Sequence, residues 1–212
     1  MPQRRYARRL ACAGALALAA ACSRAARSPG APSPSPQPAP AVRADPADVR
    51  FMTGMIVHHA QALLMAGWAP SHDAGPAVRT LCERILVSQR DEIAFMERWL
   101  AEHGEPVPAA DPHGLAMPGM DHPMLMPGML APVELARLDA ARGPEFDRLF
   151  LAAMIRHHQG AVAMVQELLR TPGAAQDGAV FRFAADVNAD QTAEIARMTR
   201  MLAALPAGSG RP

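Results

Sequence analysis

The sequence predicts an all-α protein, a four-helix bundle made of two repeated helical hairpins joined by a Met-rich loop. Three observations predict it. The segment 51–65, FMTGMIVHHAQALLM, recurs at 150–164 as FLAAMIRHHQGAVAM; Met154 minus Met55 is 99, and so is His157 minus His58. A second stripe also recurs, since Gln191, Glu194, Ile195, Met198 and Leu202 follow Gln89, Glu92, Ile93, Met96 and Leu100 by 102 residues each. Aromatic residues make up 4% of the chain, and Ala, Leu and Met are abundant, which favours helix over sheet. Two antiparallel hairpins that bury their apolar faces against each other make a four-helix bundle.

Residues 1–22 read as a signal peptide. MPQRRYARR is basic, and LACAGALALAAA is apolar but too short to span a bilayer as a stable helix. Ala19-Ala20-Ala21-Cys22-Ser23 resembles a bacterial lipoprotein cleavage site, which would make Cys22 the lipid-modified first residue. Such sites usually carry Leu where Ala19 stands, so ordinary cleavage after an Ala-x-Ala pattern stays open; either route exports the chain. Residues 23–44, rich in Pro, Ser and Ala, read as a disordered tether.

Residues 45–205 are the expected bundle: repeat one at 45–104, a Met-rich linker at 105–143 and repeat two at 144–205, with a tail at 206–212. Asp45 caps a first helix over 46–68, with Pro46 in its first turn. Residues 69–76 hold two Pro and one Gly and break it. The second helix runs from 76 to 103 and stops before Gly104 and Pro106. A short helix over 132–141 leads into a third long helix over 144–170, which Thr171-Pro172-Gly173 ends. The last helix runs from 175 to 205. Asp48 and Asp147 match at the 99 offset near helix starts, where a carboxylate favours the helix dipole.

The chemistry lies in the repeated segment. At about 100° per residue, Phe51, Met52, Met55, His58, His59, Ala62 and Met65 fall within an arc of roughly 140°. Met154, His157, His158 and Met164 repeat the arrangement. Each copy therefore turns two imidazoles and two thioethers inward. Thioether sulfur favours Cu(I), and imidazole suits copper, zinc, iron or nickel, so the mixture leans toward copper. The plain alternative is that Met fills gaps in a core and that the histidines are hydrogen-bonded core residues. Two adjacent histidines on a buried stripe are costly to desolvate, and their recurrence favours a site. Met96 and Met198 lie on the partner stripes. Glu92 and Glu194 beside them either orient a ligand histidine through its other ring nitrogen or pair with an Arg at the boundary.

The linker holds Met117, Met120, Met124, Met126 and Met129 with His113 and His122. Exposed Met is an oxidation liability, so the run calls for a reason: soft-metal capture, or an apolar strap over the bundle. Cys82 is the one cysteine outside the leader, which excludes an intramolecular disulfide framework in the mature domain. It reads as a core residue, with a thiolate ligand as the alternative.

Formal net charge is +1 and no basic block lies beyond the N-terminus, which excludes nucleic acid as a partner. No cofactor fingerprint is present. A di-iron oxidase would need Glu-x-x-His on its helices, and the chain contains none, so an enzyme is not expected.

These residues resemble the domain of unknown function 305 family. The resemblance is carried by MIVHHAQALLMA and MIRHHQGAVAMV, by MPGM followed by LAPVELARL, by GPEFDRLFL, and by QRDEIAFMERWL with its copy QTAEIARMTRML. It spans 45–205. It implies a ferritin-like four-helical fold and an exported bacterial protein, and some relatives look like periplasmic copper-binding proteins that use Met and His. The family's HH motif falls on His58 and His59 and on His157 and His158, and its flanking Met on Met55, Met65, Met154 and Met164. Met52 matches Leu151 and Trp99 matches Met201, so the halves are expected to bind metal unequally. The expected function is copper binding, buffering or chaperoning in the cell envelope. The partners would be a metal ion and a copper-transfer protein, and the membrane only through a lipid anchor. An envelope interaction protein with structural His pairs, and a ferritin-like metal oxidase, are the alternatives.

Overall fold

A computed structural model describes residues 44–117 and 119–206. The signal peptide, Cys22, all but the last residue of the tether, and the tail from 207 lie outside the described residues. Five helices follow in order: α1 Pro46–Gly67, α2 Pro76–Glu102, α3 Pro132–Ala140, α4 Gly143–Arg170 and α5 Gly178–Ala204. Among the described residues there is no strand, so the protein is all-helical there; in the linker Leu115 and Met124 form an antiparallel bridge, with N–H···O distances of 2.9 and 2.8 Å. No described helix is long and apolar enough to cross a membrane.

Local chemistry sets the helix ends. Asp45 Oδ1 accepts from the Ala47 N–H at 2.7 Å, and Pro46 opens α1. Helix α2 stops because Gly104 takes φ +71°, which lets the Glu105 N–H reach back to Leu100 O at 2.9 Å. Helix α5 begins three residues later than the spacing suggests, at 178 instead of 175. Ala175 sits at φ +54°, and Asp177 is the cap, its Oδ1 accepting from Ala179 and Val180 at 2.6 and 3.3 Å. The other ends fall within one residue of the expected ones.

Helix α1 packs on α2, α4 packs on α5, and the two pairs meet through α1 and α4; α3 lies against both of these. The interior has two apolar clusters. One gathers Phe51, Met55, Met96, Leu100, Val165 and Phe183. The other gathers Met65, Leu81, Ile85, Phe150, Met154 and Met198. Phe150, Met55 and Ile85 are wholly buried, and burying such a side chain contributes about 1.5–3 kcal/mol. Each long helix passes from one cluster to the other through a polar stretch: His58 and His59 on α1, Gln89 and Glu92 on α2, His157 and His158 on α4, Gln191 and Glu194 on α5. The fold thus holds a polar layer between two oily ends.

Asp48 and Asp147 correct the sequence reading. Asp48 does lie in the first turn of its own helix and Asp147 lies beyond it, and the hydrogen bonds of both carboxylates go to the other helix pair. Asp48 Oδ1 accepts from Ala175 N at 2.7 Å in the α4–α5 turn, and both oxygens of Asp147 accept from Gly75 N at 3.1 Å in the α1–α2 turn. A buried backbone N–H needs an acceptor, and at these turns the acceptor comes from across the fold. Burial pushes both carboxyls above their ordinary value, against the pull of those N–H groups. Cys82 is buried in the second cluster, and burial, then Asp147 and Glu83, push its thiol up to about 12. It is protonated at neutral pH and packs as a core residue.

Candidate metal centre

Adjacent residues on a helix point about 100° apart, so each HH pair sends its rings to different neighbours. His59 Nε2 donates to Glu92 Oε2 at 2.5 Å, and His158 Nε2 donates to Glu194 Oε2 at 2.7 Å. The carboxylates therefore partner histidine and not Arg. Because a carboxylate only accepts, each ring carries a hydrogen on Nε2, so that in the neutral ring Nδ1 is the lone pair. The other two rings, His58 and His157, meet face to face with centroids 3.8 Å apart and planes at 35°. His58 Nε2 donates to Pro127 O at 3.1 Å, in the linker.

Nδ1 of all four histidines, Nε2 of His157, both amide atoms of Gln89 and Oε1 of Gln191 are buried without a protein partner. All of them belong to the polar layer. Leaving one such atom unpaired costs about 1–3 kcal/mol. A set of this size is comparable with the whole stability of a domain, about 5–15 kcal/mol. The layer is therefore shaped for a polar occupant, a metal ion or water. Among the described residues, no three His, Cys, Asp or Glu side chains are gathered closely enough to hold an ion by themselves. A metal here would draw on thioether sulfur or on a rotated ring.

The thioethers are sorted by the packing. Met52, Met55 and Met96 lie in the first cluster with Met164 against it; Met65, Met154 and Met198 lie in the second. The two Met of one sequence copy thus sit on opposite sides of the histidine layer. Each side combines Met from both copies, because α1 and α4 run in opposite directions past the layer.

The linker divides in two. Met117, Met120, His122 and Met124 are exposed on the segment closed by the Leu115–Met124 bridge, and His113 is exposed just before it. Met126 is half-buried and Met129 buried. Three residues escaped the sequence reading as site residues: Gln61, Gln89 and Gln191. Gln61, fully buried on α1, donates to Pro112 O and Leu130 O at 2.9 and 3.1 Å and accepts from Leu130 N at 2.6 Å, stapling the linker on both sides of its Met-rich run. A glutamine recurring at 89 and 191 within an apolar stripe was the available signal.

Burial, reinforced by the neighbouring imidazoles, holds His58 and His157 well below the ordinary histidine value of 6.5. Neutral imidazole is the ligand form. A histidine whose folded value is depressed contributes stability that is present above pH 6.5 and is lost as pH falls. Each of the two rings adds up to about 1.4 kcal/mol per pH unit below that point. Urea unfolding of the metal-free protein is therefore expected to show falling stability from about pH 7 to about pH 5.5. A variant with His58→Gln and His157→Gln is expected to show a shallower fall; a flat profile in the native sequence would contradict this.

Comparison with known proteins places the chain among relatives. The family described as domain of unknown function (DUF305) matches residues 48–202. A DUF305 structure from Streptomyces coelicolor is 30% identical, with a TM-score of 0.65, and the match covers 78% of this chain and 98% of that one. A DUF305 fragment from Deinococcus radiodurans is 35% identical, with a TM-score of 0.63 and coverage of 76% and 98%. CopM in its Cu(I)-bound form is 30% identical, with a TM-score of 0.55 and coverage of 73% and 94%; CopM has also been solved with Cu(II) and with silver. Uncharacterized protein L153 of Acanthamoeba polyphaga mimivirus is 34% identical over 55 residues, and the chain spans 36% of its length.

Proposed function

Since the chain belongs to the DUF305 family, we propose that it is an exported copper-binding protein that buffers or chaperones Cu(I) and Cu(II) in the cell envelope. One observation carries the proposal: four buried histidines on α1 and α4 keep Nδ1 free of any protein partner, in a layer flanked on both sides by methionine. The residues fit the ion. Glu92 and Glu194 fix the tautomer of His59 and His158, and such outer partners raise ligand basicity. His58 and His157 are neutral, so they bind without first losing a proton. Met55 and Met164 on one side, and Met65 and Met154 on the other, supply soft sulfur, which suits Cu(I). CopM, a relative solved with Cu(I), Cu(II) and silver, supports copper as the ion.

The finer reading of the fold belongs to this proposal. It is a ferritin-like four-helix bundle of two repeated hairpins, supported by the α1–α2 and α4–α5 pairings and by the two sequence offsets. Export rests on the leader-like residues 1–22, with a lipid anchor through Cys22. Delivery to a copper-transfer protein would complete the role. The chain is not proposed as an enzyme.

Anaerobic competition against a chromophoric chelator tests the proposal. The protein is expected to bind Cu(I) more tightly than Zn(II), because thioether adds to Cu(I) affinity and little to zinc. Equal or weaker Cu(I) binding would overturn it. It would favour an envelope interaction protein whose His–Glu pairs are structural, a reading that the direct His59–Glu92 and His158–Glu194 hydrogen bonds support.

A further inference from the structure

We infer that the linker hairpin closed by the Leu115–Met124 bridge is an oxidant-capture site, where Met117, Met120 and Met124 become methionine sulfoxides while the histidine layer is spared. The oxidant is a two-electron oxygen donor, a peroxide or hypochlorous acid. Neither copper nor any other metal takes part.

Packing sorts the thioethers. Met55, Met65, Met96, Met154 and Met198 are 0% exposed, whereas Met117, Met120 and Met124 are 37, 56 and 39% exposed. A thioether reacts where an oxidant reaches its sulfur, and the product is polar. A sulfoxide on a buried methionine has to leave water at a cost. One on an exposed methionine stays solvated.

The hairpin is held by ties that oxidation leaves alone. Leu115 N–H donates to Met124 O at 2.9 Å, and Met124 N–H to Leu115 O at 2.8 Å. Met120 N–H donates to Met117 O at 3.2 Å across Gly119, which takes φ +81°. Gly114, at φ +125°, lies so near Pro123 and Met124 that a Cβ there would stand 2.8 Å from Pro123 Cβ and 2.9 Å from Met124 O. Gln61 then ties down Pro112 and Leu130 on either side of the run. None of these bonds uses the sulfur of Met117, Met120 or Met124. Nearer the bundle the chemistry is guarded. Met129 is 6% exposed, and its Sδ accepts from the Met126 N–H at 3.3 Å, which occupies a lone pair that an oxidant needs.

In the step itself, a sulfur lone pair forms an S–O bond to one oxygen of hydrogen peroxide and the O–O bond breaks. The departing hydroxide takes the proton of the transferred oxygen and leaves as water. Sulfur loses two electrons and the peroxide gains them. With hypochlorous acid the O–Cl bond breaks, and chloride and a proton leave. The plain reading is that these methionines are exposed apolar filler, for which leucine would serve as well. Leucine cannot take the oxygen, and that difference is measurable.

The full chain, held metal-free with a chelator, is exposed to hydrogen peroxide and mapped by peptide mass spectrometry over time. Sulfoxide is expected at Met117, Met120 and Met124 at least about tenfold faster than at Met55, Met65 and Met154, with the urea midpoint unchanged once the hairpin is oxidised. A second arm adds limiting hypochlorous acid to the native chain and to a variant carrying Met117→Leu, Met120→Leu and Met124→Leu. The native chain is expected to keep its midpoint, and the variant to lose part of it as oxidation moves to the bundle. Comparable sulfoxide rates in hairpin and bundle, a midpoint that falls as the hairpin oxidises, or equal losses in native chain and variant would each overturn the capture role. If the variant does not fold, the order of oxidation and the midpoint of the native chain decide.

Discussion

A variant with His58, His59, His157 and His158 all replaced by glutamine is expected to lose more than about 100-fold in Cu(I) affinity while remaining folded. Glutamine is the discriminating choice. Its amide N–H can still donate to Glu92, Glu194 and Pro127 O, which accept from His59, His158 and His58 in the native chain. It lacks the basic ring nitrogen that binds a metal. The buried hydrogen bonds are therefore kept and the ligands removed. Loss of an outer partner alone typically costs about 10–100-fold in metal affinity, and loss of the ligands themselves is expected to exceed that. Circular dichroism and urea unfolding check that the fold persists, and chelator competition reads the affinity. Native affinity in the variant would move the principal site to the methionines of the 117–129 loop.

The second large effect is expected at Gly160. It is buried in α4, and a Cβ there would overlap the Pro127 carbonyl and press on Gly128. Both obstacles are backbone, so no rotamer change relieves them, and the strap has to move. Overpacking of this kind costs about 1–3 kcal/mol, against a helix-propensity gain of up to about 1 kcal/mol. The clash wins, and the Pro127–His58 hydrogen bond is lost with it. Gly160→Ala is thus expected to lower the urea midpoint and to speed proteolytic cutting within residues 105–131. Gly67→Ala is the control: a Cβ at Gly67 meets nothing within 4 Å, so that variant is expected to match or exceed the native stability. Equal proteolysis of Gly160→Ala and the native chain would mean that the strap is not held at this contact.

The helices were legible because their ends are written in single residues with one local meaning. Asp45 and Pro46 start α1, Gly104 stops α2 and Thr171-Pro172-Gly173 stops α4. The inward faces of the HH pairs were legible because helical periodicity alone puts His58 and His59 on the buried stripe. The placement of Glu92 and Glu194 beside a histidine was half legible: the 102 offset showed that they recur, and the antiparallel packing chose His59 and His158 over an Arg. What could not be read needed the third dimension. Local rules assigned Asp48 and Asp147 to their own helix starts, yet their acceptors serve turns 127 and 72 residues away. The division of methionines between two clusters follows from how α1 and α4 cross, which no spacing within one helix encodes. No local rule marks Gly54 and Gly160, since the contacts that need their small size come from the linker. Of the linker's two readings, the strap describes Met126 and Met129, which are half-buried and buried, while Met117, Met120 and Met124 are exposed.

The central claim is a copper site that draws on imidazole and thioether together. X-ray absorption at the copper edge, on the protein loaded anaerobically with one equivalent of Cu(I), tests it most directly. The expected spectrum shows sulfur scattering together with the outer-shell pattern of imidazole rings, and loses the imidazole pattern in the four-histidine variant. A first shell of sulfur alone would contradict the claim and assign the ion to linker methionines, and a shell of oxygen alone would contradict the donor chemistry altogether.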